Sequence, residues 1–145
     1  MNKILKILIS ICLSLLFATL AFSKDNFFDK ALKLYENKKY EDARFLFERN
    51  IVFNPKDANS YLYLAKIYNY EKDQRKEEYN LETAMLIEPN NEEVLLMLMK
   101  IALKKSNYSK VKDLSQTFVK VCNELCDENK EIQDSLKNIE PKNES

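Results

Sequence analysis

The chain has 145 residues, enough for one modest domain, and its composition closes off several chemistries. With no His it can build neither a Ser-His-Asp nor a Cys-His arrangement nor a histidine metal site, and with no Gly it has no phosphate-cradling loop or dinucleotide-binding turn. Lys and Arg number 23, as do Asp and Glu, so there is no basic footprint for nucleic acid.

The first segment, MNKILKILISICLSLLFATLAFS, carries Lys3 and Lys6 and then an uncharged, mostly apolar run from Ile7 to Phe22. Ala21-Phe22-Ser23 fits the small-x-small cleavage rule, and Lys24 opens a polar region. This is a secretory signal pattern. The run is slightly long for the core of a signal peptide and short of the roughly 20 residues that span a bilayer. Residues 1–23 are expected to be a signal peptide cleaved near Ser23-Lys24, giving a periplasmic or secreted protein. Retention as a membrane anchor is the alternative. Ile11 stands where lipidation at Cys12 would need a small residue, so a lipoprotein is not expected. A bias toward Lys, Asn and Ile fits an AT-rich bacterial genome. Cleavage removes two Lys and no acid, leaving 21 bases against 23 acids, a net charge of −2.

Next come three windows of equal length, 24–57, 58–91 and 92–125, which set a period of about 34 residues. In the first, Phe27, Ala31 and Leu34 recur at helical spacing, and Tyr40, Ala43, Phe47, Asn50 and Phe53 do so again. Between them lies Glu36-Asn37-Lys38-Lys39, where Asn37 is of the best non-glycine type for the left-handed position that ends a helix. The second window repeats the pattern with Tyr61, Leu64, Ala65 and Tyr68, then Leu81, Ala84 and Ile87. The third gives Leu95, Leu98, Met99 and Ala102, then Tyr108, Val111, Phe118 and Val121. Pro55 and Pro89, one period apart, are expected to stop the second helices of the first two windows, because a residue before proline is pushed out of the helical region. One such helix pair cannot bury its own apolar face, whereas three stacked pairs can.

On these residues the chain resembles the tetratricopeptide repeat (TPR) family. Phe27, Ala31, Leu34, Tyr40, Ala43, Phe47 and Pro55 sit at signature positions in window one, and Tyr61, Leu64, Ala65, Tyr68, Leu81, Ala84 and Pro89 in window two. Window two departs at Gln74, where an aromatic is usual, and at Glu77, where a small residue is usual. Glu77 would put a carboxylate at a close helix contact, so the helix is expected to splay or the side chain to reach outward. Window three matches at Leu98, Tyr108 and Phe118, with Val111 for the small residue and Asn123 in place of proline. The resemblance implies an all-α fold: an α-solenoid of three TPR-like repeats. Residues 126–145 read as a capping helix beginning near Glu128 with Asp127 as its N-cap, then a frayed tail.

The resemblance also implies a concave face formed by the first helix of each pair. That face would be lined by Phe28, Leu32, Tyr35, Leu62, Lys66, Tyr70, Leu96, Lys100, Leu103 and Lys104. Its expected occupant is a partner peptide or helix, with the lysines favouring acidic residues. Burial under neighbouring repeats and a homodimer contact are the alternatives. Some TPR modules grip a C-terminal carboxylate with Lys, Asn and Arg. Here Phe28, Leu32 and Leu96 replace polar members of that clamp, which argues against chaperone-tail recognition.

Cys122 and Cys126 would be the cysteines left after cleavage. In an oxidising compartment such a pair reads as a structural disulfide. Free thiols, a redox pair or a metal site remain as alternatives. The spacing is not that of a C-x-x-C redox motif, and two thiolates are too few for structural zinc. The run EKDQRKEEY at 71–79 reads as a solvated charged face. An enzyme would have to rest on pairs such as Glu77 with Glu78 or Glu92 with Glu93, and neighbours on a helix diverge by about 100°. The expectation is a non-enzymatic interaction scaffold of the bacterial envelope, with no cofactor, metal, nucleic acid or small-molecule substrate.

Overall fold

The computed structural model describes residues 26–139. The expected signal segment and frayed tail lie outside them. Seven helices are described in chain order: α1 (Phe27–Glu36), α2 (Tyr40–Phe53), α3 (Ala58–Tyr70), α4 (Gln74–Ile87), α5 (Glu92–Lys104), α6 (Tyr108–Val121) and α7 (Cys126–Ile139). Successive helices pack as antiparallel pairs, α1 with α2, α3 with α4 and α5 with α6, and α7 closes against α5 and α6. Among the described residues no helix is long and apolar enough to cross a membrane.

The turn inside each pair recurs with the same backbone. Lys38, Lys72 and Ser106, one period apart, all take positive φ, at 60°, 61° and 56°. The next residue in each case sends its N–H back to a carbonyl near the end of the preceding helix: Lys39 to Leu34, Asp73 to Tyr68 and Asn107 to Ala102, all at 2.9 Å. This is the Schellman closure that satisfies the last free carbonyls of a helix. It corrects the expectation for Asn37, which stays at φ −80° as the C-cap. The hydrogen-bonded ring fixes which residue turns left-handed, so residue preference does not decide it. Asp73 and Asn107 then cap the second helices, accepting from the N–H of Lys76 and Lys110 at 3.1 Å.

The second helices end as expected. Asn54 and Glu88, before Pro55 and Pro89, have ψ of 72° and 83°, outside the helical region.

The core forms two clusters that meet at α3. Leu64, Ile67 and Tyr68 join Ala31, Ala43 and Phe47 on one side. Leu62 and Ala65 join α4, α5, α6 and the cap residues Ile132 and Leu136 on the other. Helix α3 is therefore apolar on two faces. Glu77 neither splays the helix nor reaches outward. It is 5% exposed, and its Oε1 accepts from Asn69 Nδ2 at 2.7 Å. A buried carboxylate stays in place when such a donor meets it. α3 and α4 pack more extensively than any other pair despite it. The 71–79 run is thus not wholly a solvated face.

The cap starts earlier than expected. Cys126 is its first residue, and Asp127 lies inside the first turn, where it pairs with Lys130 at 2.9 Å. Cys122 and Cys126 form a disulfide across the junction, Cα to Cα 5.3 Å. Closing so small a loop contributes about 2 kcal/mol on the chain-entropy account. The Glu92 carboxylate clasps the same loop, accepting from the backbone N–H of Asn123 at 2.8 Å, Glu124 at 3.3 Å and Leu125 at 3.4 Å. These donors, that of Asn123 foremost, hold its carboxyl below the ordinary 4.5.

The turn and the clasp can each be tested by one substitution. Lys72→Gly should raise stability by about 0.5–1 kcal/mol, because relief of the left-handed side chain exceeds the added freedom of the unfolded chain; a chemical melt measures it. Glu92 has a depressed carboxyl, so its contribution is present above the ordinary value and is lost as pH falls through the lower folded value. Glu92→Gln should therefore flatten the loss of thermal stability on acidification below about pH 4.5; a slope equal to wild type would contradict the clasp.

Candidate functional site: an aromatic cleft on the concave face

Tyr35 at the end of α1, Tyr40 at the start of α2, Lys66, Asn69 and Tyr70 on α3, and Glu93 and Met97 on α5 surround an open cleft of about 440 Å³. A chain of rings builds its wall. Tyr70 lies 4.5 Å from Tyr40, Tyr40 5.4 Å from Tyr35, and Tyr35 5.0 Å from Tyr63, centroid to centroid. Tyr63 in turn stacks on the buried Phe47 at 5.2 Å and meets Phe28 edge-on at 5.9 Å. The inner end of the chain is thus anchored in the core, while Tyr70 is 67% exposed. Such rings offer contact area at low entropic cost. Burial pushes the Tyr35 phenol above its ordinary value, and Tyr40, Tyr63 and Glu93 push it further. At neutral pH it is an uncharged hydroxyl able to donate or accept.

The cleft is nearly neutral, not cationic. Lys66 Nζ bonds both Glu93 oxygens, at 2.8 and 2.9 Å, and lies 4.6 Å over the Tyr63 ring. One repeat on, Lys100 Nζ meets Glu128 of the cap at 2.5 Å. The two lysines stand one period apart and their partners one position more, so α7 stands where the first helix of a fourth repeat would. An acidic partner would have to displace a carboxylate at both positions. The expected preference for acidic residues therefore loses its two best-placed lysines; Lys104 remains exposed at the end of α5.

Of the ten residues expected on this face, the structure gathers Tyr35, Lys66 and Tyr70 into the cleft. Leu62 and Leu96 are corrections: each is 4% exposed and belongs to the main core cluster. Both pack into the cluster that α3 and α5 share with α4, α6 and α7, which covers them. Phe28 at the same position stays half-buried, because α1 opens the described stack. Leu32 and Leu103 are partly exposed and Lys100 exposed, all outside the cleft lining.

Tyr40, Asn69, Glu93 and Met97 were not among the expected residues. Asn69 was legible, since it stands one period from both Tyr35 and Leu103. Tyr40 and Glu93 were not, because they reach the cleft from a helix start.

The four carboxylates considered as enzyme pairs all have structural partners. Asn69 meets Glu77, and Lys66 meets Glu93. Lys105 and Lys110 meet Glu78, and the hydrogen bond from Lys105 holds its carboxyl below the ordinary range. Glu92 is clasped to backbone as described.

No protein-family model matches the chain, and no curated protein matches it. Solved structures do. The type III secretion chaperone SycD of Yersinia enterocolitica, in complex with a peptide of the translocator YopD, superposes with a TM-score of 0.66 at 14% identity, over 79% of this chain and 90% of that one. The Sgt2 TPR domain of Aspergillus fumigatus gives 0.66 at 13% identity, over 83% and 86%. The first TPR of Spaghetti (RPAP3), bound to an HSP90 peptide, gives 0.65 at 14% identity, over 77% and 90%. At these identities the likeness is one of fold: the chain has the architecture of a tetratricopeptide-repeat domain, three helical pairs and a capping helix.

Proposed function

We propose that the protein is a non-enzymatic interaction scaffold that holds an extended or helical segment of a partner protein on its concave face. The observation that carries this reading is the ring series from Phe47 through Tyr63, Tyr35 and Tyr40 to the exposed Tyr70. It is fixed at one end, open at the other and flanked by polar groups that can meet a backbone, namely Asn69, Lys66 and Glu93. Apolar side chains of the partner would lie on the rings, and its peptide groups would bond the rim. The two peptide complexes among proteins of the same fold support the reading.

The place of action we propose is the bacterial envelope, after export. The signal-like residues 1–23 and the disulfide at Cys122 and Cys126 support this, since such bonds persist in oxidising compartments. A display of the same module from a retained membrane anchor is the second form of the reading.

A photo-crosslinker at position 70 tests the site in cells. It should capture one defined partner polypeptide. Tyr35→Ala with Lys66→Ala should cut capture about tenfold or more, as loss of an aromatic anchor does elsewhere, while the thermal melt stays cooperative. Capture unchanged by the pair would contradict the cleft. Leu62→Glu is the contrasting control: it should unfold the protein, because it places a charge in the core.

A further inference from the structure

The outer faces of α2 and α4 carry a second apolar surface, away from the cleft. Phe45 and Val52 on α2 are 60% and 75% exposed, and Tyr79 and Leu86 on α4 are 67% and 80% exposed. Each stands two positions after a buried residue: Ala43, Asn50, Glu77 and Ala84. Two positions turn a helix by about 200°, so these four point directly outward. Tyr79 stands one period after Phe45, and Leu86 one period after Val52. The stripe is therefore in register across two repeats. It stops at the third, where Asp113 and Lys120 hold the equivalent places. Single exposed apolar residues are ordinary on a surface. Four in register, with roughly 500 Å² of exposed side chain, reach the size that marks an interaction site.

The charges around the stripe select its occupant. Glu41 and Arg75, also one period apart, flank the stripe at the same end of α2 and α4. Both are exposed, and neither forms a salt bridge among the described residues. Placed about a twofold axis parallel to the helices, α2 of one copy faces α4 of another. Phe45 then meets the second copy's Tyr79, Val52 meets its Leu86 and Glu41 meets its Arg75, each contact occurring twice. Such a match of a patch with itself is what a twofold dimer requires. Of the like charges brought opposite each other, Glu82 is neutralised by Lys110 at 2.8 Å, while Glu48 is held to its own chain by the Tyr68 hydroxyl at 3.1 Å and keeps its charge. Two convex surfaces can touch only along a narrow strip, and the stripe is two helices wide. The mixed charge suits a second copy better than an anionic lipid surface.

We infer that the protein forms a twofold dimer through the outer faces of α2 and α4, leaving both concave clefts open on opposite sides. One dimer would then hold two partner segments at once, with the gain in avidity that two linked sites bring.

Sedimentation velocity on the purified full chain, read against concentration, tests this. Wild type should show a reversible monomer–dimer equilibrium. Leu86→Glu, a change at an exposed position that leaves the melt intact, should weaken it at least about tenfold. Glu41→Arg and Arg75→Glu should each weaken it, and the two together should restore it. A monomer at every concentration would overturn the inference. So would a dimer indifferent to these substitutions, as association through residues 1–25 would be, or one broken instead by Tyr70→Glu. Flotation of a monomeric wild type with phosphatidylethanolamine–phosphatidylglycerol vesicles, lost in Leu86→Glu, would assign the stripe to lipid and overturn it equally.

Discussion

The packing of α3 between its neighbours is the constraint on which the rest of the structure depends. A helical pair has more apolar surface than it can bury by itself. In this chain α3 resolves that by being apolar on two faces: Leu64, Ile67 and Tyr68 toward the first pair, Leu62 and Ala65 toward the third. Lys66, Asn69 and Tyr70, on the strip between those faces, reach the cleft. The cleft is thus what remains of a helix after stacking has claimed the other sides. α5 obeys the same rule with Glu93 and Met97, and α7 ends the stack by offering Ile132 and Leu136 inward and charges outward.

Electrostatics reinforces this register. Lys66 with Glu93 and Lys100 with Glu128 tie successive first helices together, and Arg44 with Glu71 and Lys110 with Glu82 tie each outer helix to the neighbouring repeat. Exposed pairs of this kind contribute little singly, commonly under about 1 kcal/mol. Their larger effect is on recognition. They neutralise Lys66 and Lys100, so the cleft presents rings and hydrogen-bonding groups where some modules of this fold present free cations. Shape and aromatic contact, not a charged terminus, would then carry partner selection.

Much of the fold was legible in the sequence because its strongest signals are backbone constraints. Pro55 and Pro89 push the residue before each out of the helical region, and the distance between them set the period. The errors arose where tertiary context overrode residue type. Asn37 has the preference for a left-handed position, yet the turn's hydrogen-bonded ring assigns that position to Lys38. Glu77 reads as a surface residue until Asn69 is seen beside it. Leu62 and Leu96 lie on the face that helical periodicity points into the groove, but packing into the core cluster shared with α4, α6 and α7 covers them. Periodicity gives the direction of a side chain and not the distance to the next element. Tyr40 and Glu93 entered the cleft for the same reason, from helix starts that only the stacking brings near.

Partner recognition, on this view, belongs to the ring-lined strip left open by the stacking. Backbone and side-chain chemical shifts, recorded while a peptide selected for binding from a random library is titrated in, test that claim most directly. The largest changes are expected at Tyr35, Tyr40, Lys66, Asn69, Tyr70 and Met97, with the Lys66–Glu93 pair rearranged or kept according to the peptide's charge. Changes confined to the outer faces of α2, α4 and α6, with the cleft resonances unmoved, would contradict it.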